Sequence, residues 1–170
     1  QNTFSAIIAQ AHVNINLQMR PRYRNSTGRG ALPCFCAARR LPGALLLMSP
    51  WTDMTASGES LRGRAGIDPV LTPEYMYAVR EAYAGGLDPS DCLLSPLFAD
   101  FAGFPPALIQ VGTHEILYSD AERLAERMLA AGADCRLEVW ENMWHDFQMY
   151  PSKTASNAIQ NMAHFLLEVL

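Results

Sequence analysis

At 170 residues with 49% apolar side chains, the chain is long enough for one domain, and it would bury roughly 70% of its unfolded surface if complete. It holds no apolar run that spans a bilayer, no secretory pattern and no initiating Met, so a missing N-terminal portion is expected. The net charge of −4 divides sharply: residues 1–40 carry six arginines and no acid, while residues 41–170 carry all seventeen acids against seven bases, a balance of −10 that argues against nucleic acid as a partner.

The pattern in residues 1–19 fits either one helix or a short strand. From Met19 to Arg40 the text is rich in Pro, Arg and Gly without a sustained period, and reads as loop or disorder. A polyanion-binding arm over Arg20 to Arg40 is the alternative use of that charge. Gly43 to Met48 is continuously apolar, as in a strand covered on both faces of a parallel sheet, and Pro50 stops it. Residues 52–72 are polar and Gly-containing, a loop over the sheet edge. Thr72 caps and Pro73 opens a helix that Gly85-Gly86 ends. Asp88 to Pro106 carries turn signals and little regular structure. Ala107 to Val111 reads as a strand, Ser119 to Ala131 as an amphipathic helix, and Arg136 to Trp140 as a strand. A last helix is predicted over Ser152 to Leu170, with Ile159, Met162, Ala163, Leu166, Leu167 and Leu170 as its apolar stripe.

Strand, helix, strand is a parallel βαβ unit whose two strands end on one sheet edge. Glu115 lies just past the first of those strands and His145 just past the second. An acid and an imidazole leaving neighbouring strand ends can meet, which is how a base and its orienting carboxylate are built in an acyl-transfer site. Asp120, five residues after Glu115, is the rival acid. It stands at the predicted helix start, where a carboxylate suits the macrodipole for reasons unrelated to chemistry.

Four blocks carry a family resemblance: Leu47-Met48-Ser49-Pro50-Trp51-Thr52-Asp53, Ser95-Pro96-Leu97, Pro105-Pro106-Ala107-Leu108-Ile109-Gln110-Val111-Gly112 and Met143-Trp144-His145-Asp146-Phe147. Over residues 41–170 the chain resembles the hormone-sensitive-lipase-like branch of the α/β-hydrolases. The resemblance implies an α/β fold, namely the C-terminal portion of a doubly wound, mostly parallel sheet that is incomplete at the N-terminus. It implies hydrolysis of small-molecule carboxylic esters without metal or cofactor, by a triad in chain order Ser, Asp or Glu, His. Glu115 falls at the acid position and His145 at the histidine.

The nucleophile is the gap. The family shows its serine in a sharp strand-to-helix turn of the G-x-S-x-G kind, and no such motif is present. Arg24-Asn25-Ser26-Thr27-Gly28-Arg29-Gly30 weakly resembles the family's Gly-Asp-Ser-Ala-Gly-Gly element, which makes Ser26 the candidate. Arg24 and Arg29 replace two of its glycines. Ser49 follows a strand, but Pro50 and Trp51 after it are wrong for an elbow, so Ser49 reads as structural. A His-Gly-Gly oxyanion motif is absent too, and one lost oxyanion donor costs roughly 100- to 1,000-fold in rate. The chain as it stands is therefore expected to turn over esters poorly. An acid-free, arginine-rich stretch is also what a reading-frame error upstream of an intact hydrolase tail would produce, and the coding DNA tests that directly.

Cys34, Cys36, Cys92 and Cys135 form no repeated C-x-x-C pair and read as reduced thiols, consistent with a cytoplasmic protein; Cys34-Phe35-Cys36 alone makes a poor metal site. Phe98, Phe101 and Phe104 fit either an acyl pocket or core packing. The expected organisation is an atypical basic segment over 1–40, disordered or out of frame, followed by the C-terminal part of a hydrolase domain over 41–170. The expected function is serine carboxylic-ester hydrolysis. The alternative is a non-catalytic fragment whose strand at 43–48 exposes an unpaired edge and associates with a second copy through it.

Overall fold

A computed structural model describes residues 6–10 and 41–170. Four parallel strands lie side by side in chain order: β1 (Ala6–Gln10), β2 (Ala44–Met48), β3 (Ala107–Gly112) and β4 (Cys135–Trp140). Register runs Ala6 to Ala44, Leu45 to Ala107 and Ala107 to Cys135 along matched pairs. Among the described residues, four α-helices fall in the connections and at the end, α1 (Ser60–Gly63), α2 (Pro73–Ala84), α3 (Tyr118–Ala130) and α4 (Lys153–Val169), with a 3-10 turn after His145 (Phe147–Met149). A second 3-10 turn spans Pro96–Phe98.

The sheet is covered on both faces, and the two-residue alternation of β2 shows why its sequence is apolar throughout. Leu45 and Leu47 pack with Ile109, Val111 and the α3 residues Ala121, Leu124, Ala125 and Met128. Ala44, Leu46 and Met48 point the other way, against Leu108 and the α4 residues Met162 and Phe165. α3 and α4 therefore lie on opposite faces, giving the three-layer arrangement of a doubly wound sheet. Phe101 is buried in the α3-side layer and meets Phe104 edge-on at 5.0 Å, so these rings serve packing.

Local chemistry sets the helix ends. Thr72 Oγ1 accepts from the Tyr75 amide and Pro73 takes the first turn, while Gly85 closes α2 in the left-handed region at φ 56°. Ser152 Oγ accepts from the Ala155 amide to open α4.

Three expectations need correction. The run at 43–48 does not present a free edge: β1 pairs with β2 along five residues, so its backbone groups are satisfied on that side. The same pairing makes residues 6–10 a strand, one of the two readings the sequence left open for that stretch. The α4 stripe is displaced as well. Ala155, Ala158, Met162 and Phe165 are buried, whereas Ile159 is 51% and Leu167 83% exposed. The inward row follows the small alanines that allow close approach to the sheet, not the bulkiest side chains. The polar stretch at 52–72 also contains α1, too short for a periodic pattern to reveal.

Candidate active site

Three strand ends converge at the C-terminal edge of the sheet. β2 runs into Ser49, β3 into the turn Gly112-Thr113-His114-Glu115, and β4 into the loop Glu141 to His145. The turn after β3 closes with the Glu115 amide donating to the Gly112 carbonyl at 3.3 Å. Asp68, from the long connection after α1, accepts from the Ile116 amide at 3.1 Å and steadies the same turn from outside.

The loop after β4 is stitched to that turn by backbone. Thr113 N–H donates to Trp140 O and His114 N–H to Met143 O, both at 2.9 Å, and the Asn142 amide donates to Thr113 Oγ1 at 2.8 Å. Asn142 and Asp146 both take positive φ, 58° and 52°, which lets the loop turn sharply on either side of His145. Phe147, buried two residues after His145, packs near Trp140 with ring centroids 5.6 Å apart.

These constraints bring Glu115 and His145 together. Both are at most 1% exposed, and His145 Nδ1 stands 3.5 Å from Glu115 Oε2, at the outer limit of hydrogen-bond reach. The other carboxylate oxygen, Oε1, accepts the Gly112 amide at 2.5 Å and the Ser49 hydroxyl at 2.8 Å. On the far side of the ring, Nε2 is 3.4 Å from Asp146 Oδ2. Burial pushes the Glu115 carboxyl above its ordinary range, opposed by the hydrogen bonds of His145, Gly112 and Ser49. A carboxylate so anchored can fix the orientation of an imidazole and stabilise its protonated form.

The rival acid lies elsewhere. Asp120 Oδ2 accepts the amides of Thr52 and Asp53, each at 2.9 Å, and its Oδ1 is 3.2 Å from Arg123. It ties the loop after β2 to the start of α3, a role beyond the macrodipole. Burial raises its pKa to about 6. Asp53 pairs with the same Arg123 at 2.9 Å. Burial works to raise Asp53, yet hydrogen bonds from Ser57, Thr55 and Arg123 outweigh it and hold the group below its ordinary value.

Ser26, Cys34 and Cys36 lie outside the described residues. Cys92 and Cys135 are free thiols. Sequence reasoning missed the part of Ser49, whose hydroxyl touches the acid, and of Asp146 beside the ring. Only the place of Ser49 was readable: it ends the strand next to β3, on the edge from which Glu115 leaves, but nothing in the sequence marks its contact with the acid.

The family model described as the alpha/beta hydrolase fold matches residues 14–149. The chain belongs to that family. Its hormone-sensitive-lipase-like character is carried by a solved esterase of the bacterial hormone-sensitive lipase family, to which it is 40% identical with a TM-score of 0.76 over 79% of this chain and 46% of the other. Among curated hydrolases, an esterase from Acinetobacter venetianus is 36% identical over 74% of this chain, and an acetyl-hydrolase from Streptomyces hygroscopicus 37% identical over 67%. The chain spans about 40% of the length of these curated relatives, 42% of the first and 38% of the second. Among its described residues, no helix is long and apolar enough to cross a membrane.

Proposed function

We propose that this chain carries the acid and base of a carboxylic-ester hydrolase, with His145 as general base and then general acid, and Glu115 as the group that orients it. The observation that carries the reading is the buried pair itself: Glu115 Oε2 and His145 Nδ1 at 3.5 Å, on neighbouring strand ends of a hydrolase sheet. A neutral imidazole held through Nδ1 offers Nε2 for proton transfer near neutral pH.

In the proposed cycle a serine hydroxyl attacks the ester carbonyl and passes its proton to Nε2. Glu115 stabilises the imidazolium. The same proton then goes to the departing alcohol, leaving an acyl-enzyme. Water, deprotonated by Nε2, releases the carboxylic acid and restores the serine. No metal or cofactor enters. Ser26 is our candidate nucleophile. Ser49 is not, because its proton is directed to Glu115 rather than to the ring.

The names of the two curated relatives point to a small ester with a short acyl group as the first substrate to try. We place the protein in the cytoplasm with its thiols reduced, and treat residues 41–170 as the C-terminal part of the hydrolase domain. Association of two copies would use the β4 edge, the outer strand on the side opposite β1.

Hydrolysis of p-nitrophenyl acetate by the chain and by His145→Ala tests the reading. Turnover that collapses with the substitution supports it. Turnover that survives, or a parent chain with none, speaks against it.

A further inference from the structure

Ser49 is fully buried and holds a φ of 45°, a left-handed backbone that residues with a Cβ seldom adopt. Such an outlier persists only where its surroundings over-determine it. Here the Ser49 amide still donates to Gln110 O at 2.8 Å, extending the ladder, while the side chain turns toward the candidate site. Its hydroxyl donates to Glu115 Oε1 at 2.8 Å and accepts from the Asp146 amide at 3.1 Å. One hydroxyl, at once donor and acceptor, thus joins the acid on the β3 turn to the residue that follows the histidine on the β4 loop.

We propose that Ser49 is a positioning residue: it clamps the acid turn to the histidine loop and fixes which carboxylate oxygen faces the ring. With Oε1 engaged by Ser49 and Gly112, Oε2 is the oxygen presented to His145 Nδ1. Alanine at 49 leaves the Asp146 amide without its acceptor and frees the carboxylate to turn. The inference rests on the reading of Glu115 and His145 as an acid–base pair, and the test separates the two.

The test compares the full chain with Ser49→Ala and Ser49→Gly, the glycine relieving the left-handed backbone while also removing the hydroxyl. Two readouts are taken: the nitrogen and Nδ1-proton NMR signals of His145, and the pH profile of p-nitrophenyl acetate hydrolysis. Both variants are expected to lose the sharp, slowly exchanging Nδ1 proton. Their kcat is expected to fall roughly 10- to 100-fold, the range for losing a hydrogen bond to a charged group, with KM little changed. The acidic limb moves to higher pH, because a donor that favoured the ionised carboxylate is gone. Folded variants with the parent's Nδ1 signal and acidic limb overturn the proposal. If neither variant folds, Ser49→Cys, which keeps the bulk and weakens both bonds, takes their place, and parent-like signals there overturn it equally. A parent chain without esterase activity defeats the hydrolase reading, while the NMR comparison still decides on Ser49.

Discussion

Gly112 and Met143 touch so closely that no side chain fits between them: a Cβ on Gly112 would fall inside the Met143 carbonyl and 3.0 Å from the Trp144 amide nitrogen. Both contacts are to backbone, which cannot rotate away. The last residue of β3 is therefore glycine for reasons of approach, and that approach seats the His145 loop against the acid turn. Gly112→Ala is expected to push the loop outward, break the His114 N–H to Met143 O bond and lengthen the gap between His145 and Glu115. Ester hydrolysis should fall at least 100-fold, as when a catalytic group is misplaced by about an ångström. Circular dichroism and turnover on the same sample check this: a folded Gly112→Ala with parent activity would refute it.

Inward and outward rows of α4 should differ sharply in energy. Phe165 is 2% exposed in the layer with Leu46 and Leu108, while Leu167 is among the most exposed large apolar side chains. Phe165→Ala is expected to cost about 3–5 kcal/mol, and Leu167→Ala no more than about 0.5 kcal/mol. Urea unfolding of the two variants measures the contrast, and equal costs would mean the helix faces the sheet differently.

Asp120 should leave a signature in the pH dependence of stability. Its folded-state pKa is raised to about 6 from 3.8 by burial, so between those values the folded chain keeps a proton that the unfolded chain has released. The stabilising contribution of the protonated form is full below about pH 4 and is lost as pH rises through about 6, on the order of 3 kcal/mol. Asp53 works in the opposite sense, its lowered pKa favouring the folded state above its unfolded value and losing that benefit as pH falls. Subtracting the Asp120→Asn profile from the parent's isolates the Asp120 share. That difference should fall from pH 4 to pH 6, and a flat difference would show that the Asp120 carboxyl titrates normally.

What the sequence revealed follows from how each feature is encoded. The βαβ unit was legible because its strands are short apolar runs and α3 alternates apolar and polar residues at helical spacing. The juxtaposition of Glu115 and His145 followed from that connectivity alone, since parallel neighbours end on one edge. Ser49 was not legible as a partner of the acid, because its role comes from a contact across 66 residues and a left-handed backbone that Ser-Pro does not advertise. The α4 stripe was misjudged because hydropathy favours Ile159 and Leu167 over the alanines, whereas close packing on a sheet favours Ala155 and Ala158. α1 is one turn long, below what periodicity can mark. The nucleophile stays a matter of the Asn25-Ser26 resemblance, which lies outside the described residues.

The central claim is that Glu115 acts through the His145 ring, and a double-mutant cycle on p-nitrophenyl acetate hydrolysis tests it most directly. His145→Ala should lower kcat/KM by roughly 100- to 10,000-fold, the usual share of a general base. Glu115→Gln should lower it in the parent but add nothing once the ring is gone, because an orienting group has no effect without the group it orients. Additive losses, with Glu115→Gln as damaging in the His145→Ala background as in the parent, would contradict the pairing.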